Sequence, residues 1–376
     1  MYAVTKASRN RFSREQWLLK KIGKEGINRI ASGLPLEKPI QIEIHPYSIH
    51  QKRPCSNNCV WCTRKYDRDK LIVEKARGIN PQNLIDFIKS FSGYGIHEFA
   101  LAGNSTEPLL YPRIEDVIGA IKDIGSAVRL YTNFQYGKSI LKLVPRLQET
   151  DLIRISLDAG SSEIYQKTHN PYDGLSAFER VTQNIEDLLS KRSRSGGNFS
   201  VIITYLVNKL NCGEAEIAWL MDWAAKKGVD AVRFIRPLAP SNSDQKYYPL
   251  SQDDTRKVYN VFRKLSNSLA HSSTEFVFSD ADDVEDSKPF KECHYWKFAA
   301  VLGSRGMFFP CTSTAVAEYV GLLGRADIHG PDFDFWRFWH DESKWLNIDV
   351  KNRCPECTRA ENKTNFQIEQ QKFPDH

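Results

Sequence analysis

Two hydrophobic periods take turns along the chain. "IQIEIHPY" (40–47) sets Ile40, Ile42 and Ile44 two residues apart, the period of a strand. "NPQNLIDFIKSFSGYG" then brings Leu84, Ile85, Ile88 and Phe91 to helical spacing. Strand-like runs follow at 97–103, 127–133, 151–160, 199–207 and 230–238. Between them lie helix-like stretches: "YPRIEDVIGAIKDIG" with Pro112 near its start, 138–149, 175–192, and "EAEIAWLMDWAAKKG", which Gly228 closes. Six strands rich in Ile, Val and Leu, alternating with helices, predict an α/β fold built from parallel βα units. Periodicity alone does not separate an open sheet from a barrel. In both, chemistry gathers at the carboxyl ends of the strands.

After Pro240 the pattern changes. "APSNSDQKYYPLSQDD" is a polar linker, 252–270 has helical spacing, and "SDADDVEDSKP" is an acidic loop. "AAVLGSRGMFFPC" has the form of a hairpin inside a cysteine-bearing stretch. The chain therefore divides into a basic helical extension (1–38), the βα array (39–240), a linker or insert placed to act as a lid (241–290), a small α+β region (291–361) and a polar, disordered tail (362–376).

Charge and cysteine usage sharpen this picture. The net charge is +6, and residues 1–30 alone hold eight Lys or Arg against two Glu, so the rest is nearly neutral. Such an arm suits nucleic acid or an acidic partner. Trp17, Leu18, Ile22 and Ile30 equally allow it to dock as a helix on the body. No run of about 18 apolar residues predicts a membrane span, and the N-terminus lacks a signal-like apolar stretch. A cytoplasmic protein without membrane contact is expected. There disulfides are rare, and clustered thiols read as metal ligands.

Seven of the eight cysteines fall into two groups. Cys55, Cys59 and Cys62 lie in the loop "CSNNCVWC" at the carboxyl end of strand one. Structural zinc takes four ligands, and no fourth follows at the usual spacing. Iron–sulfur clusters prefer thiolates, and three cysteines on a four-iron cluster leave one iron open for a substrate or cofactor. Cys293, Cys311, Cys354 and Cys357 make a set of four, which suits either structural zinc or a complete cluster.

The Cys-x3-Cys-x2-Cys spacing, with Trp61 before the last cysteine and a βα array around it, resembles the radical S-adenosylmethionine superfamily. The resemblance spans roughly residues 38–240. It implies a partial (β/α)6 TIM-like barrel and a 4Fe-4S cluster on Cys55, Cys59 and Cys62. The open iron then binds S-adenosylmethionine, reductive cleavage yields a 5′-deoxyadenosyl radical, and that radical takes a hydrogen atom from substrate. A flavodoxin or ferredoxin supplies the electron. "GNSTEPLL" resembles the family's Gly-Gly-Glu-Pro turn, with Asn104, Ser105 and Thr106 departing from it. "YTN" at the end of strand three resembles Thr-Asn-Gly. Cofactor contacts are thus implied for Trp61, Gly103, Glu107, Asn133, Ser156 and Asp158. By period-two alternation Arg154, Ser156 and Asp158 share one face of strand four.

The later cysteines, with "SRGMFFPC" and Cys-x2-Cys, resemble the auxiliary-cluster domain called twitch, a short relative of SPASM. This implies a second 4Fe-4S cluster on Cys293, Cys311, Cys354 and Cys357. Its role would be to take an electron from a substrate radical, giving a two-electron oxidation of a small sugar- or cyclitol-like molecule. Arg154 and Arg236 are candidates to anchor that substrate, and Tyr131 and Tyr205 to line its pocket. The rival outcomes are epimerisation with Cys212 as hydrogen-atom donor, peptide modification, and RNA modification using the basic arm.

Overall fold

The computed structural model describes residues 14–47, 54–62, 78–103, 106–235, 250–279, 290–316, 325–330, 332–345, 357 and 359–372. Ten strands form one sheet: β1 (Gln41–Ile44), β2 (Glu98–Leu101), β3 (Ala127–Thr132), β4 (Leu152–Ser156), β5 (Ser200–Leu206), β6 (Ala231–Ile235), β7 (Glu275–Ser279), β8 (Ala299–Leu302), β9 (Met307–Phe309) and β10 (Arg325–Asp327). Their order is β10-β9-β8-β1-β2-β3-β4-β5-β6-β7. β1 to β7 run parallel to their neighbours, and β8 adds itself parallel to β1. β9 and β10 return antiparallel. The two edges do not pair among the described residues, so the sheet is open.

Helices α2 (Pro81–Lys89), α3 (Ile114–Asp123), α4 (Ser162–His169), α5 (Ser176–Arg194), α6 (Glu214–Lys227) and α7 (Gln252–Ser268) supply the crossovers. Local chemistry fixes their ends. Asn80 caps α2 by accepting from the Gln82 and Asn83 N–H groups, with Pro81 at the first helical position. Gly228 closes α6 in the left-handed region, φ 73°. The 138–149 stretch is a 3-10 segment, Gly137–Arg146, with Pro145 inside it.

The sheet has two unlike faces. Ile42, Phe99, Val128, Leu130, Ile153, Ile155, Val201, Ile203, Val232 and Phe234 lie under the helices, each 3% exposed or less. The other face carries Glu43, Arg129, Tyr131, Arg154, Ser156, Thr204, Arg233 and Glu275. The registers place Tyr131, Arg154, Ile202, Ala231 and Glu275 side by side, and Ser156, Thr204, Arg233 and Val277 on the next row. A parallel sheet buried between helices needs no such polar row.

Near β8 the inner face is covered. Helix α1 (Arg14–Ala31), kinked at Gly23, buries Leu18, Ile22, Ile27 and Ile30 against Tyr295, Phe298, Val301 and Ile368. Its Trp17 sits between guanidinium groups, 4.2 Å from Arg14 and 5.5 Å from Arg129. Arg14 and Arg129 both reach the buried Glu98. The basic extension thus docks by an apolar stripe.

The remaining helices are α8 (Thr312–Val316), α9 (Phe335–His340) and α10 (Arg359–Lys372). α10 occupies most of the stretch expected to be a disordered tail. Apart from Ile368 its buried side chains are polar, Asn362, Thr364 and Asn365 among them, so no apolar stripe announces it. The hairpin expected at 299–311 is present as β8 and β9, and it extends the main sheet. β7, α4 and α9 had no counterpart in the sequence reading. Of the proposed lid, residues 241–249 and 280–289 lie outside the described residues, and α7 and β7 make up most of the rest.

Candidate active site at the carboxyl ends of the strands

The loop from Pro54 to Cys62 follows β1 and is tied down by its neighbours. Asn58 N–H donates to His169 O (2.9 Å) and Val60 N–H to Thr168 O (3.0 Å), so the loop runs along the end of α4. Asn57 pairs with Pro171 as an isolated bridge. The Asn57 side chain is buried. Its Nδ2 reaches Tyr165 Oη and His169 Nδ1 (3.3 Å each), and its Oδ1 accepts from Gln135.

The sulfurs meet polar groups. Cys55 Sγ accepts from the Asn57 N–H and from Asn133 Nδ2, both at 3.4 Å. Cys59 Sγ lies 3.2 Å from His169 Nδ1. His169 is stacked on Tyr165 at 4.3 Å and meets the edge of Trp61 at 5.6 Å. Its other nitrogen is 3.2 Å from Asp158 Oδ2. Cys55, Cys59 and Cys62 are all half-buried.

Glu107 supports this loop from below. Its Oε1 accepts from Thr132 Oγ1 (2.5 Å) and the Leu109 N–H (3.0 Å), and its Oε2 from the Asn133 N–H (2.8 Å). The Glu107 N–H donates to Pro54 O. Burial pushes its carboxyl up to about 7, and the three donors pull only part of the way back. Gly103 belongs to the same turn: a Cβ there would stand 1.9 Å from Thr106 O. That close approach admits only glycine.

The other expected residues divide. Ser156 and Arg154 point to the inner face as the alternation predicts. Asp158 does not continue it, because β4 ends at Ser156 and Asp158 has φ 41°. Its Oδ1 accepts from the Leu206 N–H, and its Oδ2 faces His169. Tyr205 is a correction. It points to the helices, fully buried, with its hydroxyl donating to Asn211 O at 2.7 Å, so it does not line the inner face. Cys212 sits in the turn after β5, half-buried, with burial raising its thiol. Arg236 and Cys354 lie outside the described residues.

Three of the later cysteines are described. Cys311 is buried, and burial followed by Glu361 and Cys293 holds its thiol well above the ordinary value. α10 lays Glu361, Asn365 and Glu369, one turn apart, along this region. They accept from the N–H groups of Thr312, His294 and Lys291 respectively.

Sequence reasoning missed His169, Asn57 and Gln135. An asparagine between cysteines and a lone histidine on an eight-residue helix carry no periodic signal. The Ser161 cap of α4 was the available clue.

The donor set fits an iron–sulfur cluster. The Cys55 thiol, served by two N–H donors, is suited to ligate as a thiolate. No three His, Cys, Asp or Glu side chains among the described residues converge on a point as the ligands of a single ion do. A four-iron cluster asks for no such common point.

Comparison with known proteins agrees. Residues 53–218 match the family model of the Radical SAM superfamily. The mouse S-adenosyl-L-methionine-dependent tRNA 4-demethylwyosine synthase TYW1 is 26% identical over 200 residues, 46% of this chain and 26% of that protein. This chain therefore spans about a quarter of that relative's length. A UPF0026 protein of Helicobacter pylori strain J99 is 25% identical over 254 residues, 63% of this chain and 73% of that one. Among solved structures, Streptococcus suis SuiB superposes with a TM-score of 0.59 at 13% identity, over 87% of this chain and 70% of that one. At such identity the likeness speaks for the fold alone. The chain carries a domain of the Radical SAM superfamily, and the cysteine loop of β1 lies inside it.

Proposed function

We propose that the protein is an S-adenosylmethionine-dependent radical enzyme that modifies a polar substrate held against the inner face of the sheet. One observation carries this reading: three half-buried thiols on a single loop at the carboxyl end of β1, tied to β3 and α4 by amide and imidazole contacts. Cys55, Cys59 and Cys62 would hold the cluster, which together with bound S-adenosylmethionine supplies a 5′-deoxyadenosyl radical able to abstract a hydrogen atom.

The chain's own residues bind and orient. Asn57 and Asn133 donate to Cys55 and favour its thiolate form. Glu107 fixes Asn133 through its backbone and Thr132 through its hydroxyl. Trp61, Gly103 and Ser156 border the place assigned to the cofactor. Cys293, Cys311, Cys354 and Cys357 we assign to an auxiliary cluster closed by protein ligands. It would accept an electron from substrate and so direct the reaction to two-electron oxidation of a small polar molecule. Flavodoxin or ferredoxin is the natural reductant.

Kinship with the tRNA-modifying synthase supports a second reading, in which the substrate is an RNA base. The product separates the two: loss of two hydrogens from a small molecule, or an altered nucleoside in digested tRNA. The class itself is tested by anaerobically reconstituted protein with dithionite and S-adenosylmethionine. Release of 5′-deoxyadenosine is expected from the wild type and not from Cys59→Ala. Equal release from both overturns the reading.

A further inference from the structure

The inner face of the sheet holds a cation that the cysteine loop does not use. Arg154 stands in the middle of β4, largely enclosed. Its Nε donates to Thr204 Oγ1 at 2.6 Å, and its guanidinium carbon is 5.7 Å from the centre of the Tyr131 ring. Both neighbours are neutral. Asp158 acts on it through space, but the oxygens of Asp158 are turned to the Leu206 N–H and to His169.

This sets Arg154 apart from several other enclosed cations. Arg14 and Arg129 share Glu98, Lys122 meets Asp151, Arg192 meets Asp230, and Lys297 meets Glu292. Arg154 forms no ion pair among the described residues. The consequence shows in the direction of titration. Burial lowers both Arg14 and Arg154, yet Glu98 returns Arg14 to a net rise, while Arg154 stays below its ordinary value. An enclosed charge without a partner is costly, and arginine does not escape by losing its proton. One row further along the same face, Arg233 adds a second guanidinium beside Thr204.

We infer that Arg154, fixed by Thr204 and set against Tyr131, is the anchor for an oxyanion of the substrate, a phosphoryl or carboxylate group that enters the inner face and completes its ion pair. The inference rests on the radical-enzyme reading for the word substrate, and it narrows that reading to an anionic molecule. A guanidinium whose Nε is held by Thr204, with Tyr131 as its other hydrogen-bonding neighbour, keeps N–H donors on its outer nitrogens for such groups.

The test follows the melting of the full-length, anaerobically reconstituted protein. Sodium phosphate, and in a separate arm sodium acetate, replaces sodium chloride at constant ionic strength. A ligand that binds only the folded state raises the melting temperature in a saturable way. The wild type should respond to one of the two anions, and the responding arm tells phosphoryl from carboxylate. Arg154→Ala should weaken the apparent affinity by about tenfold or more, the loss of a charged hydrogen-bond partner. Arg154→Lys should fall between. Thr204→Val keeps the charge and serves if Arg154→Ala does not fold; it should weaken the response by about threefold.

An unchanged response in Arg154→Ala, or in Thr204→Val where that variant stands in, overturns the inference. So does a wild type indifferent to both anions. Saturating S-adenosylmethionine should leave the response in place. If it abolishes it, the guanidinium serves the cofactor's carboxylate and the inference falls. Release of 5′-deoxyadenosine by the wild type is read separately, so failure of the radical reading is distinguishable from failure of the anchor.

Discussion

The two cysteine groups of this chain are built in opposite ways. Cys55, Cys59 and Cys62 lie on one short loop, half-buried, and their polar contacts come from Asn57, Asn133 and His169. Cys293, Cys311 and Cys357 come from three separated segments, and α10 lies against the first two, with Asn365 at Cys293 and Glu361 near Cys311. Cys311 is buried, and its nearest charges are Glu361 and Cys293. The first environment donates hydrogen bonds to sulfur and leaves all three thiols half-buried. In the second, Cys311 is enclosed with negative charge beside it, while Cys293 and Cys357 are half-buried and Cys293 meets Asn365 Nδ2 at 4.0 Å. The difference teaches that the first group suits exchange of a bound cofactor, while the second includes a sulfur, Cys311, that nothing small needs to reach.

The sharpest way to break this comparison is to remove one cysteine from each group. Cys62→Ala should abolish 5′-deoxyadenosine formation and remove about four of about eight irons. Cys311→Ala should also remove about four irons, yet leave cleavage of S-adenosylmethionine in place. Iron content and product release, measured on the same preparations, check both. If Cys311→Ala silences cleavage as fully as Cys62→Ala, the two groups do not act as separate sites.

A smaller effect tests the footing of the open group. Glu107 is a buried carboxylate raised from 4.5 to about 7, with burial the leading cause. The neutral form is therefore favoured by folding. The stability this contributes is complete below pH 4.5 and is lost as pH rises through 7. At 1.36 kcal/mol per pH unit the loss is about 3 kcal/mol. Thermal or urea unfolding of cluster-free protein across this window should show that extra fall in the wild type. It should be missing from Glu107→Gln, which has no proton to lose. Parallel curves for the two proteins would mean that the three donors, not burial, set the charge of Glu107.

What was legible in the sequence follows the same local-against-distant division. The six strands of the βα array, the cysteine loop and the inward set of Arg154 and Ser156 were all readable, because each is decided within a few residues. In "RISLD" apolar and polar residues alternate, so the parity of β4 is explicit. In "FSVIITYLV" they do not, since β5 is apolar on nearly every position, and the facing of Tyr205 was undetermined. Asp158 left the pattern because a left-handed residue ends the strand, which alternation does not foresee. α10 escaped because the partners of Asn365 and Glu369 are some seventy residues away. Its polar face looked like solvent-exposed chain. His169 is distant in the same sense: it acts on a cysteine 110 positions before it.

The smallest expected effect sharpens the comparison in the cluster-free protein. Alkylation requires a thiolate and an approach path. Cys311 has little of either, being buried, with its thiol held up first by that burial and then by Glu361. The cysteines of the first loop are half-buried. Iodoacetamide under native conditions should therefore label Cys62 at least about tenfold faster than Cys311. Peptide mass mapping at timed intervals reads both from one sample. Glu361→Gln should narrow the gap by removing the charge while leaving the packing of α10 in place. If Cys311 instead reacts as fast as Cys62, α10 opens readily in solution. Cys311 would then be no more enclosed than the cysteines of the first group, and the division between an exchanging site and one with a sealed sulfur would have to be given up.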